Sequence, residues 1–153
     1  MIVSEGVQAV STSDDYYTPP EVFQILGLDF DLDVSAPEGG VPWIPAKRHY
    51  SLKDDALSQP WEGRLWMNPP FSNSAPFADR FIEHRHGVAL LPTSRAKWFG
   101  RLWLSDAAIV HPVTSPMFQF VRDGKRTNIY MPVILAAFGD ECVRALSNIG
   151  KVR

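Results

Sequence analysis

The chain has 153 residues, 45% of them apolar and 21% charged, which is the size of one domain and excludes a wholly disordered, collagenous or coiled-coil chain. Its 15 Lys and Arg against 17 Asp and Glu leave a net charge of −2, which argues against non-specific binding of nucleic acid, a property of basic chains. The single cysteine, Cys142, excludes an intramolecular disulfide and a cysteine-based metal site, and reads as a buried apolar residue in a reducing, cytoplasmic setting. No apolar run reaches the ~20 residues that span a membrane. Residues 1–15 read as a flexible leader, without the basic-then-apolar order of a secretory signal, and residues 16–153 as a single domain.

In chain order, Tyr16-Tyr17-Thr18-Pro19-Pro20-Glu21 reads as a helix start, with Thr18 as cap, Pro19 in the first position and Glu21 three residues on, as in a capping box. Val22, Phe23, Ile25 and Leu26 form one apolar face, and Gly27 ends the helix. Residues 28–34 alternate strictly and predict a strand with Asp29, Asp31 and Asp33 on one side. Residues 37–62, rich in Pro and Gly, read mostly as loop. Residues 63–67 predict a short apolar strand that runs into Asn68-Pro69-Pro70-Phe71.

A helix is predicted over 74–84 and a strand buried on both faces over 88–91. A second helix follows over 94–104, whose Trp98, Phe99, Leu102 and Trp103 read as core packing. Residues 107–111 form a further strand. Residues 117–121 and 127–138 flank Arg122-Asp123-Gly124-Lys125, an Asp-Gly turn that signals a hairpin, and 141–147 is a short helix. The alternation of strands and helices predicts an α/β fold with a parallel sheet, closed by an antiparallel hairpin.

The tetrapeptide Asn68-Pro69-Pro70-Phe71 carries the most chemistry. It sits at the carboxyl end of a predicted strand, where open α/β sheets bind ligands. Two prolines remove two donors and stiffen the loop, leaving carbonyl acceptors, one amide and one aromatic ring. That set suits a planar amine conjugated to a ring. The Asn68 side-chain oxygen and the Pro69 carbonyl accept one N–H each, and Phe71 stacks on the ring. A rigid proline turn that only ends a strand is the other reading of the same residues.

Asn-Pro-Pro-Phe resembles the catalytic motif of S-adenosylmethionine-dependent amino methyltransferases, above all the adenine N-6 DNA methyltransferases. Residues 17–22 look like that family's Thr-Pro motif. Phe30 to Ala36 is similar to the first-strand cofactor motif of its small phage-type members, and residues 50–57, 61–68 and the helix with Trp98 follow the same group. The likeness runs from about residue 16 to 138. It implies a minimal, truncated Rossmann-like methyltransferase sheet with a C-terminal antiparallel hairpin, S-adenosylmethionine as cofactor and DNA as substrate. It places the target adenine on Asn68, Pro69, Pro70 and Phe71, and the methionine part of the cofactor along Tyr17, Thr18 and Pro19. Asp33 is implied as the partner of the cofactor's ammonium, with Ser35 and Ala36 in the same motif and Asp54 or Asp55 on its adenine or ribose. Thr18 and Glu21 as a helix cap, and Asp33 as one of three solvent-facing carboxylates, are the competing readings. The resemblance further implies action in a host cytoplasm and a role in protecting phage DNA from restriction.

The chain departs from the family in three ways. No glycine follows the first strand until Gly39-Gly40, although close backbone approach to the cofactor is the reason for glycine there. The interval from Asp33 to Asn68 is too short for two further strands with helices, so one side of the sheet is expected to be truncated or replaced by loop. No inserted segment is large enough for a separate recognition domain. A base must also be flipped out of a duplex to be methylated, which calls for cations around the pocket. Three clusters qualify: Lys47-Arg48-His49; Arg95, Lys97 and Arg101; and Arg122, Lys125 and Arg126. Arg95 and Lys97 are favoured because they follow the strand expected beside the catalytic one, and Ser72 and Asn73 lie just past the catalytic loop. The early acids and later cations predict two faces of opposite sign behind the net charge. The four histidines show no metal spacing, so no metal is expected. Two other functions stay open: the same chemistry on an RNA base or a protein glutamine, and a non-catalytic DNA-binding module with a decayed methyltransferase fold.

Overall fold

The computed structural model describes residues 17–112, 120–127 and 132–153. The expected leader and parts of both predicted hairpin arms (113–119 and 128–131) lie outside the described residues. The elements are α1 (Pro20–Leu26), β1 (Phe30–Asp33), β2 (Ala46–His49), β3 (Leu65–Met67), α2 (Ser74–His84), β4 (Gly87–Pro92), α3 (Lys97–Leu104), β5 (Ala108–Val110), β6 (Phe120–Arg122), β7 (Lys125–Thr127), β8 (Val133–Phe138) and α4 (Asp140–Leu146). Six strands form one sheet in the order β2-β1-β3-β4-β8-β5. The first four run parallel, and β8 runs antiparallel to both of its neighbours.

Hydrophobic burial explains the layering. Residues of β3, β4, β5 and β8 are buried without exception, so these strands need cover on both faces. On one face Trp66, Leu90 and Leu135 meet Phe23 and Leu26 of α1 and Cys142 and Leu146 of α4. On the other, Met67, Leu91 and Phe138 meet Phe77 and Phe81 of α2 and Trp98 and Leu102 of α3. Cys142 lies within the first layer as expected, and burial pushes its thiol pKa up. No helix among the described residues is long and apolar enough to cross a membrane.

The structure corrects four expectations. Residues 46–49 form an edge strand, not loop: Lys47, Arg48 and His49 are exposed, so no alternation marks them, and backbone pairing to β1 holds them. The link from β1 to β2 has no helix, in line with the expected truncation. The run 127–138 does not act as one hairpin arm. Its first residue, Thr127, pairs with Phe120 of β6 in a separate two-stranded sheet, while Val133–Phe138, apolar on both faces, inserts between β4 and β5. Thr18 is not the helix cap. Pro19 takes that position, Pro20 starts α1, and Glu21 forms a two-pronged ion pair with Arg126 at 2.8 and 2.9 Å. Finally, the aromatic stripe of α3 divides. Trp98 and Leu102 enter the core and Phe99 packs half-buried at its edge, whereas Trp103 is exposed, stacked on Phe99 with the Arg153 guanidinium 3.9 Å from its ring.

The passage of β4 against β3 leaves no room for a side chain at Gly87. Its φ is +146°, and a Cβ there would stand 2.3 Å from the Leu65 carbonyl oxygen. Gly87→Ala is expected to destabilise the fold by roughly 3 kcal/mol, seen as a lower midpoint in urea unfolding.

Candidate active site

The catalytic loop leaves β3 at Asn68. Pro70 is extended (φ −56°, ψ 124°), and its carbonyl accepts the Asn73 N–H at 2.9 Å to close the turn Phe71–Asn73 before α2. Asn68 is held from two directions. Its backbone N–H donates to Ser35 Oγ at 3.0 Å, and its Nδ2 donates to Thr18 Oγ1 at 3.3 Å. Thr18 is wholly buried, and its carbonyl in turn accepts the Trp43 indole N–H at 2.8 Å. The Thr-Pro segment thus orients the Asn68 amide, with the nitrogen end turned to a hydroxyl that serves as acceptor.

Asp33 reaches the same place through an irregularity in β1. The N–H groups of Asp31 and Leu32 both point to the Arg64 carbonyl, at 2.8 and 3.4 Å, so two residues of β1 oppose one of β3. This is a β-bulge, uncommon between parallel strands. It breaks the predicted alternation: Phe30 packs with Phe23 and Trp66 on one face, whereas Leu32 and Val34 belong to the other layer. Asp33 therefore returns to the Trp66 side. Asp29 is exposed and Asp31 binds the Arg64 N–H and Lys47, but Asp33 is only 3% exposed. Burial pushes its carboxyl pKa up to about 7, opposed by the Ser35 N–H it accepts at 3.2 Å. That hydrogen bond also closes the turn after β1 where the family has glycine.

A cavity of about 490 Å³ opens where these segments meet, lined among others by Tyr17, Thr18, Asp33, Ser35, Asn68 and Pro70. Ala36 is also on its wall, and the Lys53–Glu38 ion pair (2.6 Å) crosses its mouth. A smaller cavity of about 190 Å³ adjoins it, sharing Ser35, Ala36, Ser51 and Pro70, and reaches Asp55 and Asn73. Pro19 and Pro69 are buried behind the wall, and Phe71 is half-buried against the α1–α4 layer. Asp54 and Asp55 are separated by role. Asp54 accepts the Ser51 N–H and hydroxyl at 2.8 and 3.2 Å, while Asp55, with φ +51°, faces the smaller cavity.

The candidate DNA contacts are spread around this centre. Ser72 and Asn73 are exposed beside the loop, and Arg95 and Lys97 are exposed beyond β4, which does lie next to β3. Arg122, Lys125 and Arg126 lie on the β6–β7 hairpin. Carboxylates hold four cations of the clusters: Lys47 by Asp31, Arg48 by Glu62, Arg101 by Asp79 and Arg126 by Glu21. Among the described residues no group of three His, Cys, Asp or Glu is placed to hold a metal. Sequence reasoning missed Trp43, whose hydrogen bond spans 25 positions and leaves no local pattern.

The profile of the DNA N-6-adenine-methyltransferase (Dam) family matches residues 7–131. The chain belongs to that family. The DNA N-6-adenine-methyltransferase of Haemophilus phage HP1 is 32% identical to it over 124 residues, covering 74% of this chain and 69% of the relative. No solved structure matches the chain. The family selects adenine in DNA among the planar amines that the motif suits, and implies a methyl donor of the S-adenosylmethionine type. The site of this methyltransferase fits such a donor: a cavity of adequate size holds one buried carboxyl, partnered by the Ser35 N–H, whose ionised form would gain a cation.

Two outcomes follow for this methyltransferase. Thr18→Val keeps the side-chain shape but removes the acceptor for Asn68 Nδ2; turnover should fall about tenfold while donor affinity, measured by calorimetry, changes much less. Asp33 is protonated in the folded protein up to about pH 7 but ionises near 3.8 once unfolded, so stability should fall as pH rises from about 4 to 7 and then level off. Asp33→Asn should remove that slope and stabilise the free protein at pH 8 by roughly 2–4 kcal/mol, read from urea unfolding at pH 5 and pH 8.

Proposed function

We propose that this chain transfers the methyl group of S-adenosylmethionine to the exocyclic N6 of adenine in DNA, using the cavity between β1 and β3 for the donor and Asn68-Pro69-Pro70-Phe71 for the base. The observation that carries the reading is the convergence of Asn68 and Asp33 on one cavity although they lie on different strands. The donor supplies an electrophilic methyl group on a positively charged sulfur. Asp33, ionised, holds the ammonium of its methionine part, with Tyr17, Thr18 and the nearby Pro19 along that end. Ser35 and Ala36 let the chain pass close, and Asp55 stands nearest a nucleoside portion that extends into the smaller cavity, with Asp54 shaping the turn there.

Asn68 Oδ1 and the Pro69 carbonyl each accept one N–H of the adenine amine. This draws the nitrogen out of conjugation, so that its lone pair takes the methyl group in line while the carbon–sulfur electrons leave with sulfur. The extra proton leaves N6 afterwards, so no strong base is needed beforehand. Pro70 stiffens the loop and Phe71 stacks on the ring. Positioning and fixed acceptors supply most of the rate. Ser72, Asn73, Arg95, Lys97, Arg122, Lys125 and Arg126 contact phosphates and bases around the flipped nucleotide. The phage relative supports action on DNA in a host cytoplasm.

Incubation with the labelled donor and DNA, followed by digestion, should yield N6-methyladenine. Asn68→Ala should lose turnover by a factor of at least about a hundred with donor affinity largely kept. A well-folded Asn68→Ala protein of undiminished activity would defeat this assignment.

A further inference from the structure

A further cavity lies beside the donor cavity, and the chemistry assigned above uses only Arg122 and Arg126 on its rim. It is larger than the donor cavity, about 660 Å³, and is bounded by the β6–β7 hairpin, the start of α1 and the loop at 40–43. It shares Tyr17 and Val41 with the donor cavity, but no residue of Asn68-Pro69-Pro70-Phe71 lines it. Its wall carries Trp43 and Tyr17, two aromatic rings, together with Pro20 and Pro42. Its rim carries two arginines, Arg122 and Arg126, and one acid, Asp123.

Flat apolar walls beside a cationic rim match one nucleotide: rings and prolines offer faces for a base, and guanidinium offers paired donors to a phosphate. We propose that this cavity holds a nucleotide neighbouring the target adenine on the methylated strand, its base on the Trp43 and Tyr17 wall and its phosphate on Arg126. The proposal rests on the reading of the chain as a DNA adenine methyltransferase and adds a subsite to it. The hairpin is fastened over this cavity at two points. Tyr17 and Val121 exchange backbone hydrogen bonds of 2.9 Å each, and Arg126 forms its two-pronged pair with Glu21. Both side chains of that pair are 41% exposed, so a phosphate can compete with the Glu21 carboxylate for the same guanidinium. Glu21 thereby sets how strongly the subsite takes an anion. Trp43 also donates to the Thr18 carbonyl, so Thr18 links the wall of the subsite to the hold on Asn68.

The test is an NMR titration of the whole chain with dAMP, following the Trp43 indole N–H resonance. dAMP is expected to shift that resonance, and deoxyadenosine, without the phosphate, to bind on the order of tenfold more weakly. Arg126→Gln should weaken dAMP about tenfold and Glu21→Gln should strengthen it severalfold. Opposite signs from two partners of one surface ion pair are not expected of a merely structural contact. Phe71→Ala should leave the Trp43 response unchanged, and saturating DNA should displace dAMP. The proposal is overturned by an unmoved Trp43 resonance, by same-sign or absent effects of the two substitutions, by loss of the response in Phe71→Ala, or by dAMP that stays bound beside saturating DNA. Failure of the underlying reading is separate: it would show as wild-type protein that forms no N6-methyladenine in DNA, whatever the titration gives.

Discussion

Asn68 hangs between two hydroxyls, and the functional architecture depends on that suspension. Ser35, just past the end of β1, takes its backbone N–H, and Thr18, before α1, takes its side-chain amide. Three stretches of chain that are distant in sequence are thereby tied at the carboxyl edge of the sheet. Buried donors without acceptors cost of order 1–3 kcal/mol each, so the arrangement holds only if all three stretches arrive together. The prolines after Asn68 serve the same end by removing donors that the loop would otherwise have to satisfy.

The second constraint is electrostatic. A bulge in β1 turns Asp33 inward, where burial raises its carboxyl pKa and the Ser35 N–H only partly offsets this. The fold accommodates this by keeping the carboxyl protonated up to about pH 7, so its stability falls as pH rises from about 4 to 7 and then levels off. A buried carboxyl with a perturbed pKa beside a cavity is the usual mark of a functional site, where stability is exchanged for function.

Much of this was legible in the primary structure. The apolar runs of β4 and β8, the α2 boundaries and Gly27 as a helix stop follow from patterns that span fewer than a dozen residues. The tetrapeptide at the end of β3 is local as well, because two consecutive prolines dictate their own backbone. Where the reading failed, the reason is non-local. Edge strand β2 is polar on both sides and exists through its pairing with β1. Thr18 has the neighbours of a helix cap, yet its hydroxyl is claimed by a residue 50 positions away. Strict alternation through Asp29, Asp31 and Asp33 concealed a bulge that is set by the Arg64 carbonyl on another strand. The run 127–138 reads as one arm, but Thr127 belongs to the small sheet and Val133–Phe138, apolar throughout, to the large one.

By itself, then, the sequence determined the class of fold, the position of the Asn-Pro-Pro-Phe loop after a strand and the chemistry its residues suit, because those depend on short-range backbone rules and on the functional groups present. The tertiary structure alone decided which carboxylate of three is buried, which hydroxyl holds the amide, and that a hairpin closes a second cavity beside the first. These are matters of which distant groups meet, and in a close-packed interior that is settled by the joint packing of strands and helices rather than by any segment taken alone.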